Sequence, residues 1–450
     1  MASMEIALGA LRTLMYRVSG IVIWAVIGIV TARTLSVADR GTYASMIALM
    51  WIVAALSPGI ADAAGYFVSK RGFRPGEVMA AIFVLAAAVS IVQFGVLASW
   101  GLVRWDDRTL IPIIGLGIFP QLARMAMSAL FMGTGHLTRM ALGSQGQAYW
   151  GLAAILVWVV LLGNKTAEDA LGAFVVAQWI ALAAMVLLAE PDWRRDLVRG
   201  VRWSTLRAMV TYGSLPGLAT LVSMSGHRLG QIMVIRLDSA EAAGIYASAI
   251  TIAEGLWLLS SATANASFHR IGTLSREEAG RLTAQTFRHL LPIVAIPAAG
   301  IAILAPFLIS VLYGDRYADG ASALRIFCLA AAVYSPVSLL NTYFLVQLGR
   351  PVIGLLLSTI STVVNISLAL VLIPAYGYNG AAWAGFGAYG VATTVAVVLF
   401  LRMSQVPASE LYRFGRSDLA GYRNGLRQLL RGRRLAAEPV AAASEASGSS

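Results

Sequence analysis

Twelve stretches of about twenty mainly apolar residues follow one another along this chain. They lie near 14–33, 42–67, 78–103, 109–132, 141–162, 169–189, 207–234, 243–268, 289–313, 321–346, 352–375 and 379–402. Each is long enough to cross the hydrocarbon core of a bilayer, which takes about 20 residues in a helix. Lipid offers no hydrogen bonds, so each backbone polar group must be satisfied within its own segment, and helices do that. A soluble core could not absorb this pattern. Of the 450 residues, 58% are hydrophobic and 12% charged, against about 25% charged in soluble proteins. The expected fold class is therefore an all-α polytopic membrane protein of about twelve helices.

Positive charge sorts the loops. With the N-terminus cytoplasmic, 23 of the 34 Lys and Arg residues fall on the inner side and seven on the outer, Arg40 among the latter. Arg17, Arg124, Arg228 and Arg325 fall within or at the edge of spans. A miscounted helix would invert every later loop, so the bias supports both the count and the orientation, with both termini cytoplasmic. The net charge of +12 is thus spread over membrane-flanking loops, which argues against a nucleic-acid partner. The single cysteine, Cys328, excludes a disulfide within the chain. The N-terminal run lacks a small-residue cleavage site and reads as a first membrane anchor.

A repeat divides the chain. Arg33-Thr-Leu-Ser-Val-Ala-Asp-Arg-Gly-Thr-Tyr-Ala-Ser45 returns without a gap as Arg236-Leu-Asp-Ser-Ala-Glu-Ala-Ala-Gly-Ile-Tyr-Ala-Ser248, identical at six positions. The offset, 236 minus 33, is 203 residues, close to half the chain. Such an offset marks an internal duplication. With six helices per half, both halves enter from the same face, and the repeat axis lies along the membrane normal. The expected organisation is a six-helix bundle over 1–190, a charged cytoplasmic linker over 191–206, a second six-helix bundle over 207–402, a basic amphipathic segment over 403–435 and a disordered tail over 436–450. In the basic segment Leu411, Leu419, Tyr422 and Leu426 recur at helical spacing among arginines, a pattern suited to an anionic inner leaflet.

Three blocks together resemble one family: Thr31–Ser45 with its echo, Leu312-Tyr-Gly-Asp-Arg-Tyr-Ala-Asp-Gly320 continuing to Ile326, and Asn365–Ala382 with its Pro-Ala-Tyr-Gly-Tyr-Asn-Gly core. Their order and spacing are similar to those of the polysaccharide-transporter (Wzx-like, O-antigen and exopolysaccharide flippase) branch of the MOP flippase superfamily, which also holds the MATE exporters and the lipid II flippases. The resemblance implies a V-shaped pair of six-helix bundles in the cytoplasmic (inner) membrane. It implies translocation of undecaprenyl-pyrophosphate-linked oligosaccharide by alternating access, with membrane lipids, a polysaccharide polymerase and other assembly proteins as partners. It also implies that the first, second, seventh and eighth helices line a cationic cavity. The chain departs from the pattern at Gly226-His-Arg-Leu-Gly230, where many relatives carry an acid.

Charge inside a span is costly and faces a cavity or a partner. The candidates are Arg17 on helix 1, Asp62 on helix 2, Arg124 on helix 4, His227 and Arg228 on helix 7 and Glu254 on helix 8. Arg17, Arg124, His227 and Arg228 are expected to meet a diphosphate and sugar acids, since arginine binds phosphate through a rigid fork. Asp62 and Glu254 are expected to balance charge or to couple transport to an ion. The competing readings are snorkelling for Arg17 and Arg124, neutralisation of Arg17 for Asp62 and a structural pair with Arg228 for Glu254. The small-residue run Gly380–Gly390 suits close helix packing.

Other chemistry is excluded. Neither lysine (Lys70, Lys165) follows a glycine, so there is no phosphate-binding P-loop. The four histidines lack metal-ligand spacing. No cofactor, metal or catalytic residue is expected, and the chain reads as a transporter rather than an enzyme. The alternatives are a MATE-like drug or cation antiporter, which predicts an acidic cavity, and a polytopic polysaccharide-assembly enzyme or scaffold.

Overall fold

The computed structural model describes residues 2–104 and 109–412. In chain order the helices are α1 (Ala2–Thr34), α2 (Val37–Val53), α3 (Ser57–Arg71), α4 (Pro75–Arg104), α5 (Leu110–Gly133), α6 (Leu137–Ile155), α7 (Ala167–Leu188), α8 (Pro191–Arg199), α9 (Trp203–Leu237), α10 (Ala240–Thr273), α11 (Arg276–Ile303), α12 (Ala305–Tyr313), α13 (Gly320–Thr342), α14 (Pro351–Ser404) and α15 (Ser409–Tyr412). Eight of them are long and apolar enough to cross a membrane. One of the eight is α14, which folds into two arms at Gly377, where φ is +56°. Counting α14 twice and adding α1, the α2–α3 pair and α9 gives twelve passes among the described residues, and the chain is a multi-pass membrane protein.

Short polar signals set the turns. The Ser36, Thr166 and Ser239 hydroxyls accept from the backbone N–H groups of Asp39, Asp169 and Ala242 and so start α2, α7 and α10. Ser275 and Glu278 form a reciprocal capping box at the start of α11. This box corrects the ninth run. The helix begins at Arg276 rather than near 289, so Arg276, Arg281 and Arg288 ride on helical turns instead of a loop. The run also breaks at Leu304, and Pro306 starts the separate helix α12. In the second span the break precedes Pro58: a 3-10 turn over Ala54–Leu56 separates α2 from α3. Past α14, Gln405 turns the chain at φ +60°, and Val406 and Leu411 are buried. Arg288 of α11 donates to the Glu410 carbonyl at 3.1 Å. The rest of the basic segment and the 436–450 tail lie outside the described residues.

Among apolar lipid tails, helices associate through close packing and polar contacts rather than through the hydrophobic effect. Small residues do this work here. A Cβ on Gly380 would fall 2.0 Å from the Leu372 carbonyl oxygen, so the arms of α14 pack backbone to backbone beside the kink. The helices gather around separate apolar clusters, two built mainly from α1–α7 and one from α9–α14.

The two groups meet along a seam in which α2–α3 faces α9 and α10. At the end of the α1–α2 turn, a Cβ on Gly41 would lie 1.8 Å from the Ala240 carbonyl oxygen, and one on Gly244 would lie 2.2 Å from that of Val37. These contacts are reciprocal in the repeat: 37 plus 203 is 240, and 41 plus 203 is 244. The two copies of the motif thus pack on each other about a local pseudo-two-fold. Cross-links secure the same end. Arg33 donates to the Leu312 carbonyl at 3.2 Å, and Arg316 and Tyr317 donate to the Ala32 carbonyl at 3.2 and 3.3 Å. Toward the opposite end a second knuckle joins α3 to α9. There a Cβ on Gly59 would lie 2.1 Å from the Gly213 carbonyl oxygen, and Tyr66 stacks on Tyr212 with centroids 4.5 Å apart.

A cavity between the helix groups

A cavity of about 620 Å³ opens in the seam, lined by α1, α2, α9, α10 and the end of α12. These include the first, second, seventh and eighth passes. Its apolar wall carries Ile21, Trp24, Ile47, Trp51 and Leu258. Among its polar groups are Arg40 and Tyr43 of α2, His227, Arg228 and Gln231 of α9, and Glu254 of α10.

Helical spacing explains this set. His227, Arg228 and Gln231 fall within five residues on α9, so Arg228 and Gln231 share one face, three apart. Gln231 crosses the seam: its amide donates to Ser45 Oγ on α2 at 3.1 Å and to the Ala243 carbonyl on α10 at 2.9 Å. Arg228 Nη1 donates to Glu254 Oε1 at 2.8 Å, and both side chains remain about 30% exposed to the cavity, at 31% and 28%. That geometry is a partly solvated pair whose outward-facing donors and acceptors stay free for a ligand. His227 Nδ1 is 3.1 Å from the Tyr389 hydroxyl, and its ring lies 5.2 Å from that of Trp257. His227 and Glu254 also border a smaller cavity among α9, α10, α13 and α14. They are shared walls between the seam and the interior of the second group.

The remaining expected site residues sit elsewhere. Arg124 does not line the cavity, which corrects the expectation for it. It is 4% exposed inside the first group. Nε and Nη1 donate to Gln178 Oε1 at 3.3 Å and to the Ser144 carbonyl at 3.2 Å, and Nη2 donates to Gln147 Oε1. A guanidinium with three protein acceptors has no need to snorkel. Asp62 is not among the cavity-lining residues either. It is exposed, one turn beyond the Gly59 knuckle, which corrects the expectation of a buried acid. The Arg17 side chain lies outside the described residues.

One cavity cation is not where the sorting of loop charges puts it. Arg40, assigned to an outer loop, lies in the first turn of α2 and is 6% exposed. Its guanidinium sits over the Tyr43 ring, 5.7 Å from the centroid, and it forms no ion pair among the described residues. The Ser36–Asp39 cap is the signal that would have found it, because a cap at Ser36 puts Arg40 inside a helix. Among the described residues the cavity therefore holds two fixed cations, Arg40 and Arg228, against one carboxylate, Glu254, with His227 beside them.

Solved structures share this architecture. An inward-facing MATE-family multidrug resistance transporter of the MOP superfamily superimposes with a TM-score of 0.72 at 15% identity, over 86% of this chain and 95% of that one. The fold is that of the MOP transporters. The lipid II flippase MurJ, in an inward closed conformation, gives 0.69 at 11% identity over 90% and 89% of the two chains. An outward-facing MATE transporter gives 0.59 at 15% identity over 88% and 96%. No protein-family model and no curated protein matches the chain in sequence.

Proposed function

We propose that this chain is a secondary transporter of the cytoplasmic membrane, a flippase that moves lipid-linked oligosaccharide, carried on undecaprenyl pyrophosphate, by alternating access through the seam cavity. The observation that carries this reading is the charge of the cavity. Arg40 and Arg228 against Glu254 leave a net positive wall in a space of about 620 Å³. A diphosphate is drawn to such a wall, whereas a cationic drug is repelled by it. Charge-assisted bonds from arginine to phosphate are worth about 1.5–3 kcal/mol each in a partly dry site. The apolar strip from Ile21 to Leu258 suits the lipid chain, and Trp24 and Trp51 offer flat faces to sugars.

In this reading the α1–α2 end faces outside and both termini face the cytoplasm. The substrate enters from the inner side while the Gly41–Ala240 contact is shut. Its phosphates bind Arg40 and compete with Glu254 for Arg228. Rocking about the seam then opens the outer end and closes the inner one. Glu254 either balances Arg228 in the empty state or releases a proton as the anion leaves.

The test is complementation of a bacterium that lacks its own polysaccharide flippase, at matched membrane abundance. The intact protein is expected to restore surface polymer, and Arg228→Ala is expected to fail. Glu254→Gln separates the two roles of the acid: loss of dependence on the proton gradient marks a coupling site, and unchanged dependence marks a charge-balancing one. Failure of the intact protein in several glycan hosts, together with export of cationic dyes, would replace the flippase with an antiporter.

A further inference from the structure

The interior of the first helix group carries a cation with no counter-charge among the described residues. Arg124 is 4% exposed, and its three acceptors are two amide oxygens and a backbone carbonyl, all neutral. A guanidinium has five N–H groups, so two of them have no acceptor among the described residues. The surrounding glutamines add donors. Gln178 Nε2 donates to Gln121 Oε1 at 3.2 Å, which leaves the Gln121 amide nitrogen buried and unpartnered. The Gln147 amide nitrogen is likewise buried and unpartnered. Reversing either amide does not help. A reversed Gln147 would turn its NH2 on the guanidinium, and a reversed Gln121 would turn its NH2 on that of Gln178. The network is thus one formal positive charge away from neutral and rich in N–H groups that lack acceptors. A water molecule would accept some of these bonds and leave the charge, whereas one small anion would answer both needs.

We propose that Arg124, with Gln121, Gln147 and Gln178, binds a small monovalent anion of halide size inside the first helix group, away from the transport cavity. The anion neutralises the arginine and ties α5, α6 and α7 together. This inference does not rest on the transport reading.

The experiment is thermal unfolding of the full-length protein in detergent, with gluconate exchanged for chloride at constant ionic strength. A ligand bound only by the folded state raises the midpoint, and the rise continues with the logarithm of its concentration above Kd. The wild-type midpoint is expected to climb with chloride or bromide and not with gluconate. Gln147→Glu places a carboxylate beside the guanidinium, and its midpoint is expected to be flat across the halide series. Arg40→Gln/Arg228→Gln is expected to keep the halide response. Bromide-soaked crystals of the wild type are expected to show an anomalous peak beside Arg124, which decides the matter even if Gln147→Glu does not fold. A wild-type midpoint indifferent to halide, a response that survives Gln147→Glu, loss of the response in the cavity double variant or no peak beside Arg124 would each overturn the proposal.

Discussion

The interior of the first helix group and the seam between the groups each hold an arginine about two turns inside a span, and the two have opposite surroundings. Arg124 is wrapped by α5, α6 and α7, and the protein supplies three acceptors, all neutral. Arg228 faces a cavity, shares one carboxylate and keeps 31% of its side chain exposed. The first arrangement fixes the packing of its group. The second leaves a charge free to change partners. Depth and charge alone do not separate a structural arginine from a binding one. The difference lies in who provides the acceptors.

Removing Arg124 should break this contrast most strongly, because it strips partners from buried groups. Arg124→Met leaves the Gln178 and Gln147 amide oxygens without their donor, and each buried unsatisfied group costs about 1–3 kcal/mol. A loss of roughly 3 kcal/mol is expected from that range, seen as a lower unfolding midpoint and reduced membrane abundance. Arg228→Met should leave both near wild type while abolishing transport. Equal losses of abundance would show that both arginines are structural.

The seam can be perturbed without touching charge. Gly41→Ala forces a Cβ to within 1.8 Å of the Ala240 carbonyl oxygen, and the contact there is backbone, which cannot swing aside. Overpacking of this sort costs about 1–3 kcal/mol, and the cost falls only on the conformation with this end closed. Labelling of a cysteine introduced at Ala44, a cavity residue, should therefore become faster from the α1–α2 side. Gly95→Ala, with nothing within 4 Å, serves as the silent control. Unchanged labelling in Gly41→Ala would mean that this contact is not what closes the cavity.

Arg40 sharpens the comparison further, since it is as buried as Arg124 yet opens on the cavity. Arg40→Gln should lower transport about tenfold, equivalent to about 1.4 kcal/mol, with abundance unchanged. Arg40→Lys should recover part of the loss, because the charge remains and the fork does not. A fall in abundance matching the fall in transport would place Arg40 with Arg124 instead.

These contrasts show how far the sequence is legible. The passes follow from apolar runs together with the sorting of loop charge, and the 203-residue offset of the repeat reappears as the offset of the Gly41 and Gly244 contacts. His227, Arg228 and Glu254 lie on the cavity because each is polar on a pass that faces the seam. Arg124 reads the same way in sequence and is not there. Its acceptors, Gln147 and Gln178, come from other passes, and only the packing of α5 against α6 and α7 brings them to it. Arg40 escapes notice for a local reason: polar neighbours make a capped helix start look like a loop. Its repeat counterpart is Ala243, so the copies share the seam contact at Gly41 and Gly244 but not the charge.

The linker offers the weakest and most pH-specific probe of how firmly the first group is held. Glu190, between α7 and α8, accepts from Arg139, and His136 Nε2 lies 3.7 Å away. The hydrogen bond and charge of Arg139 hold the Glu190 carboxyl below its ordinary range. A carboxyl depressed on folding stabilises the folded state above its unfolded pKa and loses that contribution as pH falls through its folded one. Glu190→Gln should therefore melt slightly below wild type at neutral pH, and the gap should close as the pH drops through the carboxylate range. The pair is solvent-exposed, so added salt should shrink the gap as well. A gap that persists at low pH would mean that Glu190 acts through its shape rather than its charge. The clamp on α8 would then rest on the buried Trp193 indole, which packs 5.9 Å from the Phe131 ring.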